Sequence, residues 1–378
     1  MANFEVNVVR LQPGSISDHP DADRLSIIKV GGYVCISAKL EDGSHRYNEG
    51  DLVVYVPEQA IVPEYLLRKG FWDDEKNRGI LSGPNFDRVK IIKLRGIHSQ
   101  GILFPLLSSD FPCIMNGDHE VQFVEEGQDV ADFLGIKKYI PPIPVNLSGS
   151  MKHVSQFSHN YDFDSIQKMM DMFSPEDDVV VTEKLHGTFM CIFFDPNIKD
   201  EELFFDGSIT CTSKGLGSKG MVFMNVSENR DNSYVSILNS LLSNGFGDKL
   251  RDTYGCQVKI FGEVYGAGIQ KGFGYGHSRP SFSVFDVKVG DEYLSHDALV
   301  EFCQTFGLNR VPVLYEGKFS FDAIEPYRDG KDSISSSNVR EGVVIKTRNF
   351  DRHPNYGRKI AKWVSPAYLL KSTGEEFN

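Results

Sequence analysis

The sequence Val179-Val180-Val181-Thr182-Glu183-Lys184-Leu185-His186-Gly187-Thr188 is a β-branched apolar run that reaches a lysine and then a glycine turn. This pattern places a lysine at the end of a buried strand. An amine there is partly desolvated, which lowers its pKa and makes it a usable nucleophile. Gly187 lets backbone approach a phosphate, and Thr188 can donate to one. Taken alone, a lysine at a strand end is usually a solvated cap, so the stretches around it carry the argument.

The chain has 378 residues, enough for two domains with a core each. Hydrophobic residues make up 40% and charged residues 24%, the balance of a soluble globular protein. No apolar run approaches the ~20 residues of a membrane span, and the N-terminus lacks the plan of a signal peptide. A cytoplasmic protein without membrane contact is therefore expected. The six cysteines are scattered without a Cys-x-x-Cys pair, which argues against a zinc ribbon and a disulfide framework. A net charge of −12 argues against coating nucleic acid by bulk charge, but permits a local basic groove.

Upstream, residues 4 to about 106 read as short strands and turns. They include Glu5–Leu11, Arg24–Val30, a Gly31-Gly32 hairpin turn, Tyr33–Ser37, Leu52–Val56 and Ile102–Leu106. Five or so short strands in a hundred residues suit a small closed barrel such as an OB-fold. Arg88–Arg95 alternates basic and apolar residues, and Lys90, Lys93 and Arg95 form a cationic stripe. That stripe suits a phosphate backbone or a solvated barrel face equally. Residues 111–150 are expected to connect two domains, with the stiff Tyr139-Ile140-Pro141-Pro142-Ile143-Pro144 as the boundary. Phe163–Phe173 has the spacing of an amphipathic helix with methionines packed in a core.

Downstream, Ile209–Ser213 breaks into the polar glycine-rich loop Lys214-Gly215-Leu216-Gly217, whose amides and lysine suit a phosphate or a plain hairpin turn. Phe261-Gly262-Glu263-Val264-Tyr265-Gly266 carries an acid inside an apolar strand. A carboxylate there needs a cation, metal or hydroxyl partner. In Ser281-Phe282-Ser283-Val284-Phe285-Asp286-Val287, alternation separates Phe282 from Phe285, and either ring suits core packing or stacking on a purine. Glu341-Gly342-Val343-Val344-Ile345-Lys346 places another acid before an apolar strand, and Lys359-Ile360-Ala361-Lys362 follows. Carboxylates that hold a metal and lysines that face a phosphate are what nucleotidyl transfer requires.

The ordered set Glu-Lys-x-His-Gly-Thr, Phe-Gly-Glu-x-Tyr-Gly, Phe-x-x-Phe-Asp-Val, Glu-Gly-Val-Val-Ile-Lys and Lys-x-x-Lys resembles the covalent nucleotidyltransferase superfamily of ATP-dependent DNA ligases, RNA ligases and mRNA capping enzymes. The resemblance covers roughly residues 180–370. The first motif is similar to that of the RNA ligase 2-like branch. With His19-Pro20-Asp21-Ala22-Asp23-Arg24-Leu25 in the N-terminal barrel, the whole chain most resembles the RNA ligase 5-like family. The resemblance implies an α+β architecture: an OB-fold domain at 1–110, a connector at 111–150, and an ATP-grasp-like nucleotidyltransferase domain of antiparallel sheets and packed helices at 151–378.

It further implies an ATP-dependent RNA ligase that seals 3′-hydroxyl and 5′-phosphate RNA ends with Mg²⁺ or Mn²⁺, expected as a monomer. Lys184 would carry AMP. Glu183, His186, Gly187, Lys214, Glu263, Phe282, Lys359 and Lys362 would contact the nucleotide, with Phe282 preferred over Phe285 as the adenine platform. Glu341 and Glu263 would serve the metal. Three positions depart from the pattern. His186 stands where many relatives have aspartate, Lys214 stands for an arginine, and Lys359 and Lys362 are three apart where two is common. A GTP-dependent capping guanylyltransferase and a catalytically silent RNA-binding protein on the same fold are the alternatives.

Overall fold

The computed structural model describes residues 4–108, 111–140, 147–201 and 205–371. Its contacts divide the described chain into two units, one of residues 4–140 with 369–371 and one of residues 147–368.

In the first unit, β1 (Asn7–Arg10), β5 (Leu52–Val56) and β6 (Ile102–Pro105) form one antiparallel sheet, and β2 (Ile16–His19), β3 (Ala22–Val30) and β4 (Tyr33–Ala38) form another. The apolar run of β5 is buried on both faces. Val54 and Val56 join Val6, Val8 and Phe104, while Val53 and Tyr55 join Leu11, Ile28 and Leu103. These are the short strands and turns expected of an OB-fold, including the turn at Gly31 with φ +55°.

Two local expectations change. The basic segment contributes only the strand Ile92–Leu94, which turns at Arg95 and pairs with Ile97–Ser99. Arg88 is buried with its guanidinium 4.3 Å from the Tyr139 ring, Lys90 is half-buried, and only Lys93 and Arg95 are exposed, so no continuous cationic stripe forms. The stretch expected as a connector instead packs into this unit. Ile114, Val124, Val130, Leu134 and Ile136 share the core of Val8. The Asp129 carboxylate ties the stretch down by accepting from the Val6 amide at 2.9 Å. The helical turn Ala131–Leu134 ends at Gly135 in the left-handed conformation, as its sequence suggests. Most of the proline segment proposed as a boundary lies outside the described residues.

The second unit is built on two antiparallel sheets. Its strands are β7 (Asp178–Glu183), β8 (Thr188–Phe194), β9 (Ile209–Ser213), β10 (Val258–Gly266), β11 (Pro280–Val289), β12 (Glu292–Tyr293), β13 (Val313–Lys318), β14 (Gly342–Thr347) and β15 (Ile360–Val364). One sheet runs β13-β7-β14-β15 and the other β9-β8-β10-β11-β12. Val179, Val181, Val343, Ile345, Ala361 and Trp363 turn one face of the first sheet into a core with Phe173 and Ile324. Strand β8 is buried throughout and serves two layers. Met190, Ile192 and Phe194 pack under helices Ser233–Leu242 and His296–Phe306, and Phe189, Cys191 and Phe193 pack on the opposite face with Tyr161 and Phe261.

The helix expected over 163–173 is absent; a single 3₁₀ turn, Ile166–Lys168, stands there. Ile166, Met172 and Phe173 still reach the core. The backbone before the turn is already engaged, because the Asp164 carbonyl accepts from the Lys362 amide and Ser165 bridges to Lys362. Tertiary pairing overrides the helical spacing.

Candidate active site

Strand β7 ends where the sequence places its lysine. The Lys184 amide donates to the Gly342 carbonyl at 3.0 Å, and its ammonium is paired with the buried Glu341 carboxylate. The neighbouring register Glu183↔Val343 fixes this meeting of residues 157 positions apart. Gly342 has φ +150°, and a Cβ on it would lie 2.3 Å from the Trp363 carbonyl oxygen. A side chain there would push β14 off β15 and move Glu341 with it.

The turn after Lys184 is equally constrained. The His186 amide donates to the Tyr275 hydroxyl at 2.8 Å, and its ring lies 2.9 Å from the Tyr368 hydroxyl and 3.7 Å from Glu341. The Gly187 carbonyl accepts from Gln270 at 2.7 Å. A Cβ on Gly187 would stand 2.2 Å from the Val264 carbonyl oxygen and 2.9 Å from the Glu263 side chain. The glycine therefore admits strand β10 rather than merely clearing room for a ligand.

Glu263 sits on β10 opposite Phe189 on one side and Ser283 on the other. Burial raises its carboxyl to about 8; Glu341 adds to the rise, while Lys184, Lys214 and the Gly187 amide oppose it. Between about 4.5 and about 8 the folded protein holds a proton that the unfolded chain releases. The stability associated with this proton is full below the unfolded pKa and is lost as pH rises through the folded one. In nucleotide-free and metal-free protein, Glu263→Gln is expected to raise the melting temperature at pH 8.5 relative to the parent and to change it little at pH 5. Equal shifts at both pH values, read by thermal unfolding, would refute this.

A second group of cations lies nearby. Lys214 opens the one-turn helix Lys214–Gly217, and its ammonium is 3.2 Å from the Asp162 carboxylate. Burial works against the Asp162 charge, but Lys214 and Lys362 outweigh it and hold the carboxyl below its ordinary range. Lys362 pairs with Val344 across β15 and β14.

Two expected contacts are not part of this grouping. Lys359 is bound to Asp177 at 2.7 and 2.8 Å. Three positions along a strand put it on the face opposite Lys362. Phe282 pairs with Val264, lies in the core with Met190 and Val284, and fills the space over Gly262. Phe285 instead lies on the Glu263 side, with ring centroids 6.0 Å from Phe189 and 5.3 Å from Tyr161. It, rather than Phe282, shares the acid's side of the sheet.

Glu183 is buried. One oxygen accepts from the Ser333 amide at 2.8 Å, with Arg340 at 3.7 Å, and the other has no hydrogen-bond partner among the described residues. Burial raises its carboxyl, against the pull of Ser333 and Arg340.

A buried node that no sequence motif above predicts joins the two sheets. Asp286 accepts from the Tyr161 hydroxyl at 2.8 Å and is paired with Arg358, with Lys346 at 3.8 Å. Lys346 also donates to the Phe285 carbonyl at 2.9 Å. The available signal was the one that exposed Glu263: a charged residue inside an apolar strand. Asp162 carried no comparable signal, because its segment has no strand pattern. Among the described residues, no three His, Cys, Asp or Glu side chains are grouped as a ready metal site. Glu341 is close enough to act on the Glu263 charge.

Residues 177–364 match the model of the RNA ligase family, and residues 8–106 match that of an OB-fold domain. No curated protein matches the sequence. Solved structures of an RNA ligase from Naegleria gruberi are similar over nearly their full length. A point mutant with ATP and Mn aligns at a TM-score of 0.71 and 22% identity, covering 98% of this chain and 99% of that one. The same ligase with PPi aligns at 0.70 and 22%, covering 98% of each. A mutant without ligand aligns at 0.70 and 21%, again covering 98% of each. At these identities the likeness shows the shared fold.

Proposed function

We infer that this chain, a member of the RNA ligase family through residues 177–364 with an OB-fold domain before them, seals RNA 3′-hydroxyl and 5′-phosphate ends with ATP by way of AMP carried on Lys184. The observation that carries the reading is the meeting of Lys184, Glu341 and Glu263 beside a second cationic group, Lys214 and Lys362.

In the first step the neutral Lys184 amine attacks the α-phosphorus of ATP, a P–N bond forms, and pyrophosphate leaves. The amine must first shed its proton and its pairing with Glu341. Lys214 and Lys362 would neutralise charge building on the phosphates. Phe285 would pack on the base. The RNA 5′-phosphate then takes AMP from Lys184, and the RNA 3′-hydroxyl attacks that activated phosphate, releasing AMP. A divalent cation, Mg²⁺ or Mn²⁺, would supply positive charge at the phosphates. Among the described residues, the carboxylates of Glu341 and Glu263 would hold it, which suits a hard cation that keeps phosphate and water oxygens as its other ligands.

Glu183 supports ATP over GTP. Its unpartnered oxygen is fully buried, so the side chain must turn toward the base before it accepts from the adenine 6-amino group, whereas guanine presents a carbonyl there. Glu183→Ala is expected to slow adduct formation with ATP by roughly 10- to 100-fold, the cost of a hydrogen bond to a charged group. A rate within twofold of the parent would remove this residue from base recognition.

Intact-mass spectrometry of AMP-free protein after incubation with ATP or GTP and a divalent metal tests the reading as a whole. A gain of one AMP, mapped to Lys184, is expected with ATP alone. A GMP adduct would make the chain a guanylyltransferase. No adduct with either would leave RNA binding without chemistry.

A further inference from the structure

Of the two lysines that the proposed function assigns to the nucleotide phosphates, Lys214 already has an anion against it, and Lys362 acts on the same anion. Asp162 has only 9% of its side chain exposed and lies 3.2 Å from the Lys214 ammonium. The Lys362 charge also acts on it. Its oxygen accepts from the Phe163 amide at 3.0 Å, which fixes the carboxylate relative to its own backbone. The segment is held on several sides. The His159 amide donates to the Gly217 carbonyl, Tyr161 donates to Asp286, and the Lys362 amide donates to the Asp164 carbonyl. Asp162 is thus a placed group, anchored through one strand of each sheet.

We propose that Asp162 is a built-in competitor for the phosphate site. Its carboxylate occupies the Lys214 and Lys362 charges in the nucleotide-free protein, and it sets how tightly those lysines hold pyrophosphate. The inference rests on the assignment of Lys214 and Lys362 to phosphates. Lys214 and Lys362 both act on this one carboxylate, and the negative charge offsets the repulsion of two like charges near a common anion. The same carboxylate repels an arriving phosphate and must yield its hydrogen bond to Lys214 before a phosphate oxygen takes it. Without it the site would be more cationic, hold the triphosphate tail harder, and release pyrophosphate more slowly. Asp162 therefore lowers affinity for the tail in exchange for turnover.

The consequence runs opposite to that of structural damage. Calorimetric titration of AMP-free protein with magnesium pyrophosphate is expected to show Asp162→Asn binding roughly three- to tenfold tighter than the parent, the scale of one charge pair in a cleft. The gain should shrink as salt is raised through the range in which the Debye length falls below ~8 Å. In a Lys214→Ala background the same substitution should give a clearly smaller gain, because only Lys362 is left to compete for. Thermal unfolding of each variant accompanies the titration, and Asp162→Glu, which keeps the charge, should bind as the parent does. Unchanged or weaker binding by folded Asp162→Asn would overturn the proposal, as would an equal gain without Lys214. A parent protein that forms lysyl-AMP while Asp162→Asn fails to bind tighter would refute this inference alone. A parent that forms no adduct would refute the ligase reading.

Discussion

Lys184→Ala is expected to abolish the AMP adduct, reducing labelling by at least ~10³-fold to the background of the assay, because it removes the amine that attacks phosphorus. Lys184→Arg is expected to fail equally. Arginine keeps the charge and could keep the pairing with Glu341, but its guanidinium stays protonated at any usable pH and offers no lone pair to phosphorus. The two variants separate two roles of one side chain. The arginine variant should retain stability close to the parent, whereas the alanine variant leaves Glu341, only 1% exposed, buried without its cationic partner and should melt lower. Labelling with radioactive ATP, read on denaturing gels beside a melting curve, checks both. An adduct surviving in either variant would place the chemistry on another residue.

Gly187→Ala is expected to be nearly as damaging, for a reason unrelated to phosphate approach. The new methyl would stand 2.2 Å from the Val264 carbonyl oxygen and 2.9 Å from the Glu263 side chain. Strand backbone yields poorly, so the turn between β7 and β8 must move away from β10. The expected cost is about 3 kcal/mol of stability, the upper part of the range for overpacking a filled interior. The turn carries Lys184 and His186, and its glycine amide donates to Glu263. A shift of about 1 Å at such a constellation costs on the order of 100-fold in rate. Denaturant unfolding and the adenylylation rate should therefore fall together. A variant of full stability and full rate would show that the turn has room the structure does not display.

The strand ends were legible because a charged residue inside or just beyond an apolar strand demands a partner. Lys184, Glu263 and Glu341 all announce themselves that way, and all three come together. The same rule, applied to Asp286 and Lys346, would have found the node between the sheets. Alternation separated Phe282 from Phe285, but only the pairing of Ser283 with Glu263 tells which ring shares the acid's side. The β-bulge opposite Phe261 and Gly262 then brings Asp286 to that same side. Lys359 could have been set aside from its spacing alone, since residues three apart on a strand face opposite ways. Asp162 and the lost helix at 163–173 were beyond local reading. Both depend on β15 claiming the backbone at Asp164 and Ser165, a contact across nearly two hundred positions.

Lys184 and Glu341 are joined through adjacent rungs of one ladder, while the chain between them builds the whole of the other sheet with its helices before returning to add β13 to the first. A ladder transmits distance only across its rungs. Loops such as the one joining helix Phe246–Thr253 to β10 can lengthen or shorten over evolutionary time without changing the separation of amine and carboxylate. A single residue added within β7 or β14 would instead turn one of the pair to the opposite face. Selection on this protein should therefore leave an uneven record. Insertions and deletions should gather in the long excursion from Thr188 to Val339 and be nearly absent from two six-residue strands, so the enzyme's identity is stored in its registers rather than in its gap lengths.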